Sequence, residues 1–520
     1  MIRRTLTTVV AACSVLLLVG ACGAPASGGS SDEPVGDPVS GGSATMIQIR
    51  EPVSLDPATL SNNWVGQSLL GNALFGTLMI DNPETLEIEY QMATDFSTAD
   101  GGNTFTLELQ PGLTFTDGTP LDAEAVHLNW SRIADPDMGS SSLPQASQIS
   151  ATEVVDDTTL KVVMANPNPM FAYSITNSTL NWIASPAALE KGRDAFNNAP
   201  VGAGPFTLTE WRRQDRMEFT RNPDYWDAPR PYLDSITLLN VPDGSQRVNM
   251  LASGGADLAS ETSWTALARA EDAGLGTELA PVGGGQYFAM NTRRAPFDDP
   301  RARRAVSMAL DLDDINVAAF EGTGDVPETL FPESSPFYKD IPLAENNPEE
   351  AQRLFDELAA EGKPVNFTFL ATTLPETKAT AEVTQAQLAA YDNVNMNVEA
   401  VDFAAFIPRN IARDYDMMIS SANIQEPDST LWNAFHSRSM GNVTGISDPE
   451  LDAALDAGRV GTTPEERDAA YEIVQKRLNE VAPAVWYTRA APAVMTTDNI
   501  HGIRMYSLGS PIPAEMWVTG

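Results

Sequence analysis

Segments of strand periodicity and segments of helix periodicity alternate along this chain with no internal repeat of about 20 to 50 residues, which excludes solenoids and propellers and leaves a mixed α/β fold. The run Thr45-Met46-Ile47-Gln48-Ile49 alternates as a strand, and Leu55-Asp56-Pro57 after it reads as a turn. Phe105, Leu107 and Leu109 alternate with polar residues, Pro111-Gly112 turns the chain, and Leu113-Thr114-Phe115 leads to Asp117-Gly118, which predicts a hairpin. Asp122 then caps a helix whose buried face carries Val126, Trp130 and Ile133. Strands are predicted at Leu160 to Met164 and at Phe206 to Trp211, the latter paired with Met217 to Thr220 across Gln214-Asp215. Asp299-Pro300 opens a helix with proline at its first position. Thr463-Pro464-Glu465-Glu466 has the pattern of a capping box, followed by an apolar stripe of Tyr471, Val474, Leu478 and Val481. That stripe is core.

The N-terminus bounds where such a chain works. Arg3 and Arg4 precede an apolar stretch from Leu6 to Val19, too short for a spanning helix, and Val19-Gly20-Ala21-Cys22 closes it with small residues and a cysteine. This reads as an export signal over residues 1–21, and it resembles a bacterial lipoprotein signal, which implies acylation of Cys22 and anchoring to the outer face of the cell membrane. Cys13 lies inside the apolar stretch and leaves with it, so no cysteine remains for a disulfide. Residues 22–44 are Gly, Ser, Pro and Asp, the composition of a flexible tether. The remaining stretch of about 475 residues is long enough for two or three domains with their own cores.

A formal charge of −38, spread along the chain, makes nucleic acid an unsuitable partner. It reads as a solvated acidic surface, with an acidic cleft for a cationic ligand as the alternative. Enzyme chemistry finds no local signature: there is no phosphate-binding G-x-x-x-x-G-K-[ST] loop, no G-x-S-x-G elbow, no H-E-x-x-H helix and no S-x-x-K with K-T-G. His127, His436 and His501 are far apart, so a transition-metal site built from protein ligands is not expected, and no cofactor is implied. Asp311-Leu312-Asp313-Asp314 has the start of a calcium loop, but Ile315 and Asn316 stand where a ligand and the turn glycine belong; it reads as a helix end.

Several segments resemble the bacterial extracellular solute-binding family 5, the peptide, opine and nickel type of ABC-importer receptor. They are Ser54-Leu55-Asp56-Pro57; Leu113 to Val126, around an "F-x-D-G-x-P" hairpin; Gly202-Ala203-Gly204-Pro205-Phe206 with Arg221-Asn222-Pro223-Asp224-Tyr225-Trp226; and Met290-Asn291-Thr292 with Pro296 to Arg303. The resemblance implies a two-lobed periplasmic-binding-protein-like fold (type II, cluster C) with an extra domain inserted in lobe one. On that reading residues 45–70, 180–287 and 488–520 form lobe one, 71–179 the inserted subdomain and 288–487 lobe two. It implies a monomeric, non-enzymatic, extracytoplasmic receptor that closes on a small solute and delivers it to an importer's permease subunits. An extracytoplasmic sensor or adhesion module on the same fold and an envelope enzyme are the competing readings, and an oligosaccharide, an opine-like compound or a metal chelate are alternatives to a peptide-like ligand.

The same resemblance directs attention to particular residues. Peptide-binding members hold the ligand's amino group with an aspartate where Asn423 stands here, and dipeptide binders place an arginine in the segment matching Leu370 to Glu376, where this chain has Thr372 and Thr373. Both departures favour a neutral polar solute or a longer or modified peptide over a short free one. Asn423 is therefore the first expected ligand contact, joined by Trp64 after Ser61-Asn62-Asn63, by Trp264 after Gly255-Ala256-Asp257, and by His436, Arg438 and Asn442 in the following loop. Tyr287 and Asn291 are expected at the crossover between lobes.

Overall fold

The structure is a computed structural model that describes residues 36–343 and 345–519. Cys13, Cys22 and the export segment lie outside the described residues, as does most of the expected tether. The first strand, Ser43–Gln48, begins two residues inside that tether.

Two sheets organise two lobes. The first lobe holds a seven-stranded sheet in the order Gly276–Leu279, Ala493–Thr496, Leu258–Glu261, Ser43–Gln48, Ser235–Asn240, Arg216–Arg221 and Phe206–Arg212. Ser43–Gln48 is parallel to both of its neighbours, and the outer strands pair antiparallel. The second lobe holds a five-stranded sheet in the order Val394–Val401, Val365–Thr372, Met417–Ile424, Gly283–Met290 and Ala484–Thr488. Each sheet is covered on both faces, so its inner strands are apolar on both sides, and the buried side chains form two clusters per lobe. The chain passes between the sheets twice, over residues 280–282 and 489–492. A third, four-stranded antiparallel sheet, Ala93–Ser97, Thr104–Leu109, Thr159–Met164 and Ile149–Asp156, packs its apolar face with the helix Ala123–Ile133 into a separate cluster.

Most local readings hold. Asp122 caps Ala123–Ile133 by accepting from the Ala125 amide, and Val126, Trp130 and Ile133 are buried. Phe206–Arg212 and Arg216–Arg221 pair as read, with Gln214 at φ 60° in their turn. Asp311 caps the helix Leu312–Phe320 and does not form an ion loop. The predicted hairpin of Phe105 with Leu113 is not formed. Thr104–Leu109 pairs instead with Ala93–Ser97 and Thr159–Met164, while residues 113–121 close on themselves through a Thr114–Pro120 bridge. Six-residue strands that bury alternate side chains on one face outcompete a three-residue neighbour, and Leu113 and Phe115 reach the core without joining the sheet.

The long helix Pro464–Val481 starts with a complete capping box, in which the Thr463 hydroxyl accepts from the Glu466 amide and the Glu466 carboxylate accepts from the Thr463 amide. Thr463→Ala is expected to lower unfolding stability by about 1 kcal/mol, read as a shift in the denaturant midpoint; an unchanged midpoint would show that the cap is dispensable.

Candidate functional site

Between the lobes lies a cavity of about 1030 Å³, lined by residues from both. On the first-lobe side it is bounded by the loop from Thr59 to Gln67. That loop is held rigidly: the buried Asn62 amide donates to the carbonyls of Thr176 and Ser178 and to the Tyr506 hydroxyl, while the amide of Gln67 donates to the Ser61 carbonyl at 2.9 Å. The result presents Trp64, which is 8 % exposed and whose indole N–H has no partner in the protein. The segments 139–148 and 165–177 add Gln145, Gln148, Asn166, Asn168 and Asn177.

The second lobe supplies the other wall from the end of the strand Met417–Ile424 and from the helix Pro427–Phe435. Asn423 pairs in register with Gly284, Ser420 with Tyr287, and all but Gly284 line the cavity. The Asn423 Oδ1 is buried without a hydrogen-bond partner. Trp432 also lines the wall, but its ring carries the Arg459 guanidinium at 4.3 Å and the His436 imidazole at 4.5 Å, and its N–H donates to Asp456.

Of the six expected contacts, Asn423 and Trp64 line this cavity, and the other four do not. Trp264 begins the helix Trp264–Asp272 and donates its indole N–H to the Arg489 carbonyl at 2.9 Å, so it fastens the crossover segment. His436 is 2 % exposed behind Trp432, with Nε2 3.3 Å from Asp456. Arg438 is solvent-facing and pairs with the same Asp456. Asn442 is buried within its own loop, donating to the Ile446 carbonyl and accepting from Thr444 and Gly445. His436, Arg438 and Asp456 thus form a layer that holds Trp432 from behind. Tyr287 reaches the cavity; Asn291 instead donates to the Tyr415 carbonyl. The glutamines and asparagines of 145–177 were not expected, and no local pattern marks them.

The site does not share the acidic character of the chain. Arg50 and Arg459 are the charged residues that line the cavity among the described residues, and no carboxylate does, so the alternative of an acidic cleft for a cation is overturned. Arg459 donates from Nε to Asp428 at 2.7 Å. Beneath the wall, burial pushes the Asp428 and Glu426 carboxyls up, an effect that Arg459 and Arg467 respectively offset only in part. Among the described residues no group of His, Cys, Asp and Glu side chains is placed to hold a metal ion.

The lobes touch beside the cavity. Gln425 donates to Asp81, whose carboxyl is pushed up by burial, and Leu86, at φ 60° in the turn after Met79–Asp81, joins the buried cluster of the second lobe. The Tyr173 hydroxyl donates to the Leu86 carbonyl and fixes that turn.

Residues 87–442 match the family described as bacterial extracellular solute-binding proteins, family 5 Middle. The chain belongs to that family. Among family members it is 30% identical over 321 residues to the glutathione-binding protein GsiB of Escherichia coli O1:K1 / APEC, an alignment that covers 61% of this chain and spans 60% of that relative's length. With the protein of the same name from Salmonella paratyphi A it shares 28% identity over 448 residues, 83% of this chain and 85% of the relative. HbpA2 from Haemophilus parasuis has the same fold, with a TM-score of 0.79 at 20% identity over 92% of this chain and 100% of that one.

The motifs that resemble the solute-binding family 5 pattern lie away from the cavity and hold one another. A side chain at Gly204 would place its Cβ 2.5 Å from the Ala73 carbonyl, so the strand entry requires glycine there. Asn222 of the second motif donates to the Gly204 carbonyl at 2.9 Å, and Thr116 of the "F-x-D-G-x-P" hairpin donates to the Gly202 carbonyl at 2.9 Å. These contacts explain why the motifs report fold and leave ligand choice to the cavity.

Proposed function

We propose that this chain is the extracytoplasmic substrate-binding lipoprotein of an ABC importer. It captures a small organic solute, peptide or peptide-like in size, between its lobes and delivers it to the permease after hinge closure. The observation that carries this reading is the cavity of about 1030 Å³ with walls from both lobes, at the upper end of the roughly 300–1,000 Å³ typical of small-molecule sites. Membership of the solute-binding family and the glutathione-binding names of its relatives support it. In this reading the chain acts as a monomer without enzymatic activity, Cys22 carries the lipid, and residues up to 44 tether the body. Residues 45–70, 180–287 and 488–520 make lobe one, 71–179 its inserted subdomain and 288–487 lobe two. Trp64 and Asn423 contact the ligand from opposite walls.

Native mass spectrometry of protein purified without denaturation is expected to show a retained small molecule. Adding that molecule back to stripped protein should contract the particle in small-angle scattering and raise the melting temperature, because the ligand binds only the native state. Asn423→Ala should weaken its affinity about tenfold, the worth of one well-made hydrogen bond, and leave the ligand-free melting temperature unchanged, since Oδ1 has no protein partner to lose. Chemical conversion of the bound molecule, or no contraction on binding, would remove the receptor reading.

A further inference from the structure

The lining of the cavity is rich in side-chain amides and hydroxyls, among them Gln145, Gln148, Asn177, Ser420, Ser421 and Asn423. They come from both walls. A ligand enclosed by them leaves buried polar groups unpaired unless it supplies a partner to each. Side-chain amides also turn to present N–H₂ in place of oxygen, which suits ligand groups that both donate and accept. Hydroxyls and amides have that property; carboxylates and ammonium groups do not.

The charges narrow the class further. An ammonium enclosed here meets no carboxylate among the described residues, and the two charged residues that line the cavity are both arginines. Arg459 is neutralised by Asp428, itself 2 % exposed, and Arg50 is exposed to solvent. Enclosing a cation without a counter-charge costs several kcal/mol per ion. The formal charge of −38 does not offset this, because exposed charges beyond about 8 Å are screened at physiological ionic strength.

We infer that the cleft takes an uncharged ligand rich in hydroxyl or amide groups and discriminates against one with a free ammonium group. The inference rests on the receptor reading above and separates this chain from its glutathione-binding relatives, since glutathione carries an ammonium. An oligosaccharide and an end-blocked peptide share the required chemistry.

The test uses the purified chain stripped of ligand and isothermal titration with four probes: cellopentaose, N-acetylated and C-amidated tetra-alanine, free tetra-alanine, and glutathione. At least one neutral probe is expected to bind ten times more tightly than either charged one, and which neutral probe does so identifies the source. The molecule extracted from unstripped protein should fail to react with a primary-amine reagent. Asn423→Asp, which installs a carboxylate on the wall, should raise affinity for free tetra-alanine at least tenfold and lower it for the preferred neutral probe. Free tetra-alanine or glutathione binding as tightly as the neutral probes, or an amine-bearing extracted ligand, overturns the inference and leaves the receptor reading standing. Absence of any bound or extracted small molecule defeats both.

Discussion

Arg247→Met is expected to destabilise the first lobe by about 3 kcal/mol, near the low end of the range for breaking a buried ion pair. Arg247 and Glu261 are 2 % and 0 % exposed, and they meet in two parallel hydrogen bonds, Nε to Oε2 at 3.1 Å and Nη2 to Oε1 at 2.6 Å. Arg247 Nη1 also donates to the carbonyls of Val241 and Pro242, both at 2.8 Å. Removing the guanidinium therefore leaves a carboxylate without its counter-charge and two carbonyls without a donor. The amides of Thr262 and Ser263 still donate to Oε1, which keeps the loss from being larger. The double variant Arg247→Met/Glu261→Leu should recover most of it, because two apolar side chains replace a pair whose desolvation nearly cancels its attraction. Urea midpoints for the two single variants and the double variant measure this; a full loss retained in the double variant contradicts it.

Gly285→Ala is expected to cost about 3 kcal/mol or more and to weaken ligand binding in the same variant. Gly285 has φ +127°, a conformation that an alanine adopts only under strain, and an added Cβ would lie 2.1 Å from the Thr488 carbonyl oxygen. The opposing atoms are backbone, so they yield only if the strand Ala484–Thr488 moves. The position matters because Gly285 lies where the chain enters the second lobe. Its strand shifts register against Ala484–Thr488 between Gln286 and Tyr287, and Tyr287 lines the cavity. Displacing the strand thus displaces a wall of the site as well as a crossover. A melting temperature and a ligand affinity both equal to those of the unsubstituted protein would show that the crossover tolerates the movement.

What was legible in advance follows from the range of each signal. The capping box at Thr463, the Asp122 cap and the pairing across Gln214 depend on a few adjacent residues, and all three form as read. The hairpin read at Phe105 to Phe115 failed because the true partners of Thr104–Leu109 are strands at 93–97 and 159–164, and nothing within the segment encodes that competition. Among the expected contacts, Trp64 and Asn423 were found along the cavity lining. Trp264 was not, since an aromatic residue after a small polar run looks the same whether its N–H faces a cavity or the Arg489 carbonyl.

The sequence by itself determined the α/β alternation, the helix starts and the motif set that marks the family, because those reside in short-range periodicity and turn chemistry. The tertiary structure decided which polar groups line the cavity and which find partners elsewhere. The cavity is assembled from segments spread between Arg50 and Leu508, and the lack of carboxylates in its lining among the described residues, in a chain with 70 acidic residues, exists only once folding has sorted them to other surfaces. Whether a side chain ends satisfied or orphaned depends on neighbours hundreds of residues away, as with Asn62 and Tyr506, and no local pattern carries that information.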